Sequence, residues 1–359
     1  MKRSIVIFSG GTGGHIYPGL AVATQLRKMG VTCHWVGTES SLEARVIPEN
    51  GFSFHSIKVK GFRGNGFVRS LIAPFILVQS VLSALWILLC KKPDVVLGMG
   101  GFVSAPGGLA AWICRCPLII HEQNTIPGLA NRILAYLSSC TLEAYPNTFH
   151  SRFKTMVTGN PVRQEIVQVG ERRLKRGTDT TFNILIFGGS RGARILNEVV
   201  PQALSKVARC NISVLHQCGF DSEEALKDEY KKFGLIGSSR VRAFIDDMAD
   251  AYDWADLVIS RSGAMTLSEL TTAGLVSVLV PYKYAVDDHQ TKNAEYYSKR
   301  NAAFMIQEDE FTSNKLKILL DEIINNNVLY NTVGDAARSL GHVRATELVV
   351  DKCMEFVNA

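Results

Sequence analysis

At 359 residues, with 47% hydrophobic and 20% charged residues, the chain is long enough for two domains with full cores, and its composition excludes a disordered protein. The net charge of +6 is mild for this length and no dense Lys/Arg block interleaved with aromatics occurs, which argues against nucleic acid as a partner. Eight cysteines form no Cys-x-x-Cys pair and no Cys/His zinc spacing, and several lie in apolar stretches, so they read as reduced thiols of a cytoplasmic protein.

The chain begins MKRSIVIFSGGTGGHIYPGL. Its basic start is followed by an apolar run too short for a signal peptide, so export is not expected. Ile5 to Phe8 reads as a strand covered on both faces, and Gly10, Gly11, Gly13 and Gly14 break it before a helix. Neither common phosphate fingerprint fits: Ile16 stands where a dinucleotide loop needs its third glycine, and His15 follows Gly14 where a P-loop needs lysine. A tight turn that needs glycine only for its geometry is the plain alternative. Further strands are predicted at 33–37, 54–59, 94–98, 117–121 and 140–144, alternating with helices in an open, mostly parallel sheet.

Between Arg69 and Lys91 lie 21 uncharged residues, SLIAPFILVQSVLSALWILLC. At ~1.5 Å per residue such a helix spans ~30 Å, enough to cross a bilayer. A crossing would put the first strand and the strand at 94–98 on opposite sides, and the sheet could not form. Pro74, Gln79, Ser80 and Ser83 also interrupt the run. A buried core helix and an interfacial patch remain. In the second reading Phe67, Leu71, Phe75, Leu82 and Trp86 meet an anionic membrane surface, flanked by Lys58, Lys60, Arg63, Arg69, Lys91 and Lys92.

TGNPVR (158–163) closes this half, and GERRLKRGTDT (170–180) reads as a linker. ILIFGGSRGARILNEV (184–199) then repeats the opening scheme, with Gly188, Gly189, Ser190, Arg191 and Gly192 between strand and helix. Strands follow at 183–187, 212–217, 240–245, 256–260 and 276–281, and after about residue 311 the pattern is helical. The repeat predicts two doubly wound α/β domains facing one another, with helix N-termini directed at an anionic ligand in one cleft.

In such sheets ligands bind at the carboxyl ends of the strands. In SRSGAMTLSE (260–269), Ser262 and Gly263 precede a helix whose N–H groups suit a phosphate, and Glu269 suits vicinal hydroxyls such as those of a ribose. An ordinary early-helix charge is the alternative for Glu269. Arg163 suits a diphosphate. His15, at a helix start that favours neutral imidazole, suits a general base; Glu122 is the other proton acceptor, and Asp287 and Asp288 are weaker ones. The chain contains no Asp-x-Asp triplet, so neither a metal nor another cofactor is expected, and helix N-termini with Arg would stabilise a leaving diphosphate.

Taken together, GGTGGHIYPGLAVA, LGMGGFVSAPGGLAAW, HEQN, GNPVR, FGGSRGARILN, FIDDM, SRSGAMTLSEL and DDHQTKNA, in order from residue 10 to about 294, resemble the MurG family of N-acetylglucosaminyltransferases of peptidoglycan synthesis. The resemblance implies a GT-B fold with two Rossmann-like domains and the active site between them. These would be an acceptor and membrane domain at 1–163, a UDP-GlcNAc-binding domain at 164–340, and a terminal helix at about 341–359 packing back on the first. It implies inverting transfer of GlcNAc from UDP-GlcNAc to the muramoyl 4-hydroxyl of undecaprenyl-diphospho-muramoyl-pentapeptide, by a peripheral protein on the cytoplasmic face of the inner membrane. Carried over by position, the donor would be held by Thr12, Gly13, Gly14, Asn124, Arg163 and Ser190, by Ile245 at the uracil, by Ala264, Met265, Thr266, Leu267, Ser268 and Glu269, and by Gln290 at the GlcNAc hydroxyls; His15 would be the base. Arg191, Phe102 and His289 depart from the family pattern, where Gln, Tyr and Gln are frequent. A UDP-GlcNAc epimerase, another GT-B glycolipid transferase and a binding-only protein are the alternatives.

Overall fold

The computed structural model describes residues 3–39, 41–59, 67–174, 181–189, 191–208 and 211–358, and for 67–73 the backbone alone. Two compact units result, Met1–Arg163 with Val343–Ala359, and Gln164–His342. In the first, β1 (Ser4–Phe8), α1 (Gly13–Lys28), β2 (Thr32–Gly37), α2 (Leu42–Glu49), β3 (Ser53–Ser56) and α3 (Phe67–Lys91) are followed by β4 (Val95–Gly98), α4 (Ser104–Ile113), β5 (Leu118–Glu122), α5 (Leu129–Leu134), β6 (Cys140–Glu143) and β7 (Thr155–Val157). Among the described residues these strands form one parallel sheet in the order β3-β2-β1-β4-β5-β6-β7. The order reverses between β1 and β4, the place where open α/β sheets present ligand-binding loops.

The second unit runs α6 (Gln164–Arg173), β8 (Phe182–Phe187), α7 (Arg194–Leu204), β9 (Ile212–Gln217), α8 (Glu223–Lys232), β10 (Ser239–Arg242) and α9 (Met248–Trp254). It continues with β11 (Leu257–Ser260), α10 (Ala264–Ala273), β12 (Val276–Leu279), α11 (His289–Ser298), β13 (Phe304–Met305), α12 (Ser313–Asn325) and α13 (Asn327–Ser339). Its parallel sheet has the order β10-β9-β8-β11-β12-β13, with the reversal between β8 and β11. The last helix, α14 (Ala345–Val357), belongs to the first unit, where Val349, Val350, Cys353 and Met354 join Ile5, Ile7, Trp35 and Leu97 in one core.

Every residue of β1 and β8 is buried, as expected of strands covered by helices on both faces and read as continuous apolar runs. The edge strands β3 and β10 end before the predicted 59 and 245, because β3 runs out of partner at Gly37↔Ser56 and β10 at Arg242↔Gln217. The predicted linker is also corrected. Residues 170–173 are the last turn of α6, which buries Ile166, Val169 and Gly170, and Arg173 Nη1 donates to Tyr252 O at 3.2 Å and Ala255 O at 2.5 Å, closing the end of α9. The remainder, 175–180, lies outside the described residues.

Helix α3 connects two strands of the same sheet. Its stretch Pro74–Lys91 is long and apolar enough to cross a membrane by length and composition, yet only 17% of it is buried. Ala84 and Leu88 pack with Phe8, Val96, Ala110 and Ala111, and Ser80 Oγ donates to Lys58 O at 2.7 Å. Phe75 (76%), Leu82 (60%) and Trp86 (71%) are exposed, so a purely buried core helix is ruled out. Of the other residues assigned to the patch, Lys60 and Arg63 lie outside the described residues, and Phe67, Arg69 and Leu71 are described as backbone only.

Candidate active site

Thr12 caps α1 in extended conformation without a side-chain cap bond; its Oγ1 lies instead 3.2 Å from His15 Nδ1. His15 is half-buried on the first turn, where no acidic residue stands. The preceding Gly11 donates its N–H to Glu43 Oε2 at 3.2 Å, while Glu43 Oε1 accepts from Thr38 N at 3.1 Å and Thr38 Oγ1 at 2.9 Å. Burial raises the Glu43 pKa, but hydrogen bonds from Ser41 and Thr38 outweigh it and hold the carboxyl below its ordinary 4.5.

The loop after β4 packs directly on this one. A Cβ on Gly101 (φ +80°) would stand 2.1 Å from Gly10 O, and one on Gly100 (φ +96°) 2.6 Å from His15 Cδ2. Only glycine allows this approach, so the second loop fixes both the first and the imidazole.

HEQN follows β5. His121 is fully buried with Nε2 3.0 Å from Gly159 O, and burial pushes its pKa down to about 4, which keeps it neutral. Glu122 is 3% exposed and accepts four hydrogen bonds: Oε1 from Asn124 N (3.0 Å) and Nδ2 (3.2 Å), Oε2 from Gly128 N (3.0 Å) and Asn131 Nδ2 (2.9 Å). A carboxylate so engaged orients Asn124 and holds the turn into α5. Arg163 lies with its guanidinium 5.3 Å from the centre of the Tyr17 ring, and Thr346 Oγ1 of α14 donates to the neighbouring Val162 O at 3.1 Å.

The second unit uses the same device. A Cβ on Gly192 (φ +74°) would stand 2.0 Å from Cys218 O, so the loop after β8 interlocks with the loop after β9. Ser190 lies outside the described residues. Gly263 caps α10 without a side-chain bond, and no acidic residue stands in the first turn, leaving the N–H groups of Ala264, Met265 and Thr266 directed out of the helix. Buried Ser262 donates Oγ to Gln290 O at 2.8 Å, bringing the starts of α10 and α11 together, and Gln290 Oε1 accepts from Tyr282 N at 3.0 Å. Leu267, Ser268 and Glu269 are buried, and Glu269 Oε2 accepts from Tyr252 Oη at 3.0 Å. Half-buried Ile245 follows β10, beside Phe244, whose ring stacks on exposed Phe220 with centroids 5.9 Å apart. Asp287 and Asp288 are exposed at φ +53° and +51° in the turn before α11.

Glu43, whose carboxylate holds the first loop, and buried Gln123, whose amide bonds Met99 O after β4, escape sequence reasoning because these partners are distant in the chain. Among the described residues no three His, Cys, Asp or Glu side chains stand together as a metal-binding set.

The N-terminal domain of glycosyltransferase family 28 matches residues 5–141 and its C-terminal domain residues 183–348. A UDP-N-acetylglucosamine–N-acetylmuramyl-(pentapeptide) pyrophosphoryl-undecaprenol N-acetylglucosamine transferase of Shewanella pealeana is 44% identical over 98% of this chain and 97% of its own, and that of Shewanella woodyi is 43% identical over the same shares. Among solved structures, MurG of Acinetobacter baumannii superposes with a TM-score of 0.82 at 35% identity, covering 98% of this chain and 99% of that one. A UDP-GlcNAc 2-epimerase of Neisseria meningitidis, at 14% identity and TM-score 0.70 over 98% of this chain and 100% of its own, shares the fold alone. With the family matched in both units and the relatives matched along nearly the whole chain, the protein is a glycosyltransferase of the GT-B fold and belongs to glycosyltransferase family 28, within the MurG family.

Proposed function

We propose that the enzyme moves GlcNAc from UDP-GlcNAc to the muramoyl 4-hydroxyl of undecaprenyl-diphospho-muramoyl-pentapeptide, with inversion at the anomeric carbon. The observation that carries this reading is the 44% identity, over 98% of the chain, to a relative bearing that transferase name. The second unit takes the donor. The uncapped start of α10 meets the diphosphate, Glu269 accepts from the ribose hydroxyls, Ile245 packs on the uracil and Gln290 bonds the GlcNAc hydroxyls. Ala264, Met265, Thr266, Leu267 and Ser268 supply the backbone around them, with Ser190, Asn124, Arg163, Thr12, Gly13 and Gly14 as further donor contacts.

His15 takes the proton of the acceptor hydroxyl as its oxygen attacks the anomeric carbon and the bond to UDP breaks. The leaving diphosphate is stabilised by N–H groups and Arg163 rather than by a metal. The test is an assay of wild-type protein with UDP-GlcNAc and a lipid-linked muramoyl acceptor in the presence of a chelator. UDP release coupled to disaccharide-lipid formation is expected; no transfer sinks the reading, and a free UDP-linked epimer formed without acceptor would favour the epimerase alternative.

The same reading makes the enzyme a peripheral protein of the cytoplasmic face of the inner membrane. Phe75, Val78, Leu82, Trp86 and Leu89 are exposed at helical spacing on α3, and exposed Trp112 and Ile113 end the adjoining α4. Lys91 and Lys92 stand at the C-terminal end of this helix, and Lys58 beside its middle, where its carbonyl meets Ser80 Oγ, for anionic headgroups.

A further inference from the structure

We infer that Gln123 is a positioning residue for His15, fixing which imidazole nitrogen carries the proton; this rests on the reading of His15 as the base. Gln123 is 1% exposed. Its Nε2 donates to Met99 O at 2.9 Å and to His121 Nδ1 at 3.1 Å, which uses both amide protons. His121 offers Nδ1 as an acceptor because its Nε2–H faces Gly159 O at 3.0 Å. These bonds determine the amide's orientation, since turning it over would set Oε1 against the Met99 carbonyl.

Gln123 Oε1 is therefore directed elsewhere, and it is buried without a hydrogen-bond partner. Unmet buried acceptors are rare and call for a physical reason. The reason lies at Gly100. The position a Cβ there would occupy is 3.3 Å from Gln123 Oε1, 3.0 Å from His15 Nε2 and 2.6 Å from His15 Cδ2. The Nε2 edge of the imidazole and the unmet oxygen border one small space, which a glycine at 100 keeps open.

The other edge of the ring faces outward, with Nδ1 3.2 Å from Thr12 Oγ1 in the exposed loop. With the proton on Nε2, a rotation of the ring that brings this N–H to Gln123 Oε1 leaves Nδ1 as the basic nitrogen. The acceptor hydroxyl passes its proton to Nδ1 while its oxygen forms the glycosidic bond and the electron pair of the bond to UDP leaves with the diphosphate. The imidazolium then holds Nε2–H on Gln123 and donates Nδ1–H to Thr12 Oγ1.

The experiment is nitrogen NMR of the full-length protein with labelled histidine, above the titration of His15, with His15→Ala assigning the signal and steady-state kinetics in parallel. The wild type should show a protonated Nε2 and an unprotonated Nδ1. Gln123→Leu should move the signal toward the Nδ1–H form, which Thr12 can accept, and lower kcat roughly 10-fold or more with the KM for UDP-GlcNAc unchanged. Gln123→Met, which removes the oxygen but keeps the length of the side chain, should move the signal in the same direction and covers the case of a leucine variant that does not fold. A wild-type His15 protonated at Nδ1, or a folded leucine variant with unaltered signals and kcat, overturns the inference. Wild-type turnover in His15→Ala would instead remove the base assignment beneath it.

Discussion

Gly11 donates its backbone N–H to Glu43 Oε2 at 3.2 Å, so the first glycine loop already holds a carboxylate of its own chain. A loop occupied in this way is less suited to gripping a phosphate and better suited to holding His15 still. The folded state keeps the Glu43 pKa below 4.5, so the stabilisation it brings is complete above that value and is lost as the pH falls through the lower one. Glu43→Gln, which leaves one of its donors unmet, should cost about 1–3 kcal/mol at neutral pH. The gap between variant and wild type, measured by denaturant unfolding, should narrow in acid. An equal gap at neutral and acid pH would show that the charge plays no part.

His15 and Glu122 differ in what surrounds them, and their variants should differ accordingly. His15→Ala should retain UDP-GlcNAc binding and lose roughly 100-fold or more in kcat. Glu122→Gln turns one acceptor oxygen into a donor facing N–H groups from Asn124 or from Gly128 and Asn131, and should lower stability by about 1–3 kcal/mol. Thermal melts beside kinetics decide it. A Glu122→Gln protein as stable as wild type but inactive would return the base role to Glu122.

Strands with helices on both faces were legible because burial on both sides demands a continuous apolar run, and Ile5–Phe8 and Ile184–Phe187 have one. β7 and β13, three and two residues long at sheet edges, carry too few positions for any period. Arg173 belongs to a charged run that reads as linker, and its bonds to the carbonyls at the end of α9 are made by residues distant in the chain. The glycines of both loops are plain in the chain, but the meeting of Gly101 with Gly10 depends on β1 and β4 being neighbours, a tertiary fact. Gln123 stands in a polar tetrapeptide where nothing local separates a buried amide from an exposed one. For α3, length and hydropathy fit a span, a core helix and an interfacial helix equally, and exposure separates the last two.

Glu269 Oε2 accepts from Tyr252 Oη at 3.0 Å, and this bond orients the carboxylate on α10. Glu269→Gln should weaken UDP-GlcNAc binding roughly 10-fold or more, because hydrogen bonds to a charged acceptor are the stronger kind. Tyr252→Phe should weaken it less, since it loosens the carboxylate without removing it. Calorimetric titration of both variants with UDP-GlcNAc and with UDP separates nucleoside from sugar contacts. Unchanged affinity in Glu269→Gln would leave the residue as a buried support of α10 alone.

Phe75 and Trp86 expose most of their surface to water on a helix whose opposite side is held in the core by Ala84 and Leu88. Withdrawing each ring into the acyl boundary of a bilayer is favourable by about 1.5–3 kcal/mol, so the pair should dominate attachment through this patch. Phe75→Ser with Trp86→Ser should release the protein from anionic vesicles in sedimentation while leaving transfer to a soluble acceptor intact, because neither side chain belongs to the loops around His15. Lys91 and Lys92 predict a second signature: wild-type binding that weakens as salt rises and as anionic lipid is diluted with neutral lipid. Sedimentation of the double variant equal to wild type would place attachment elsewhere on the chain. Loss of soluble-acceptor turnover in a folded double variant would instead mean that α3 supports the loop after β4, which its packing against α4 makes the structural alternative.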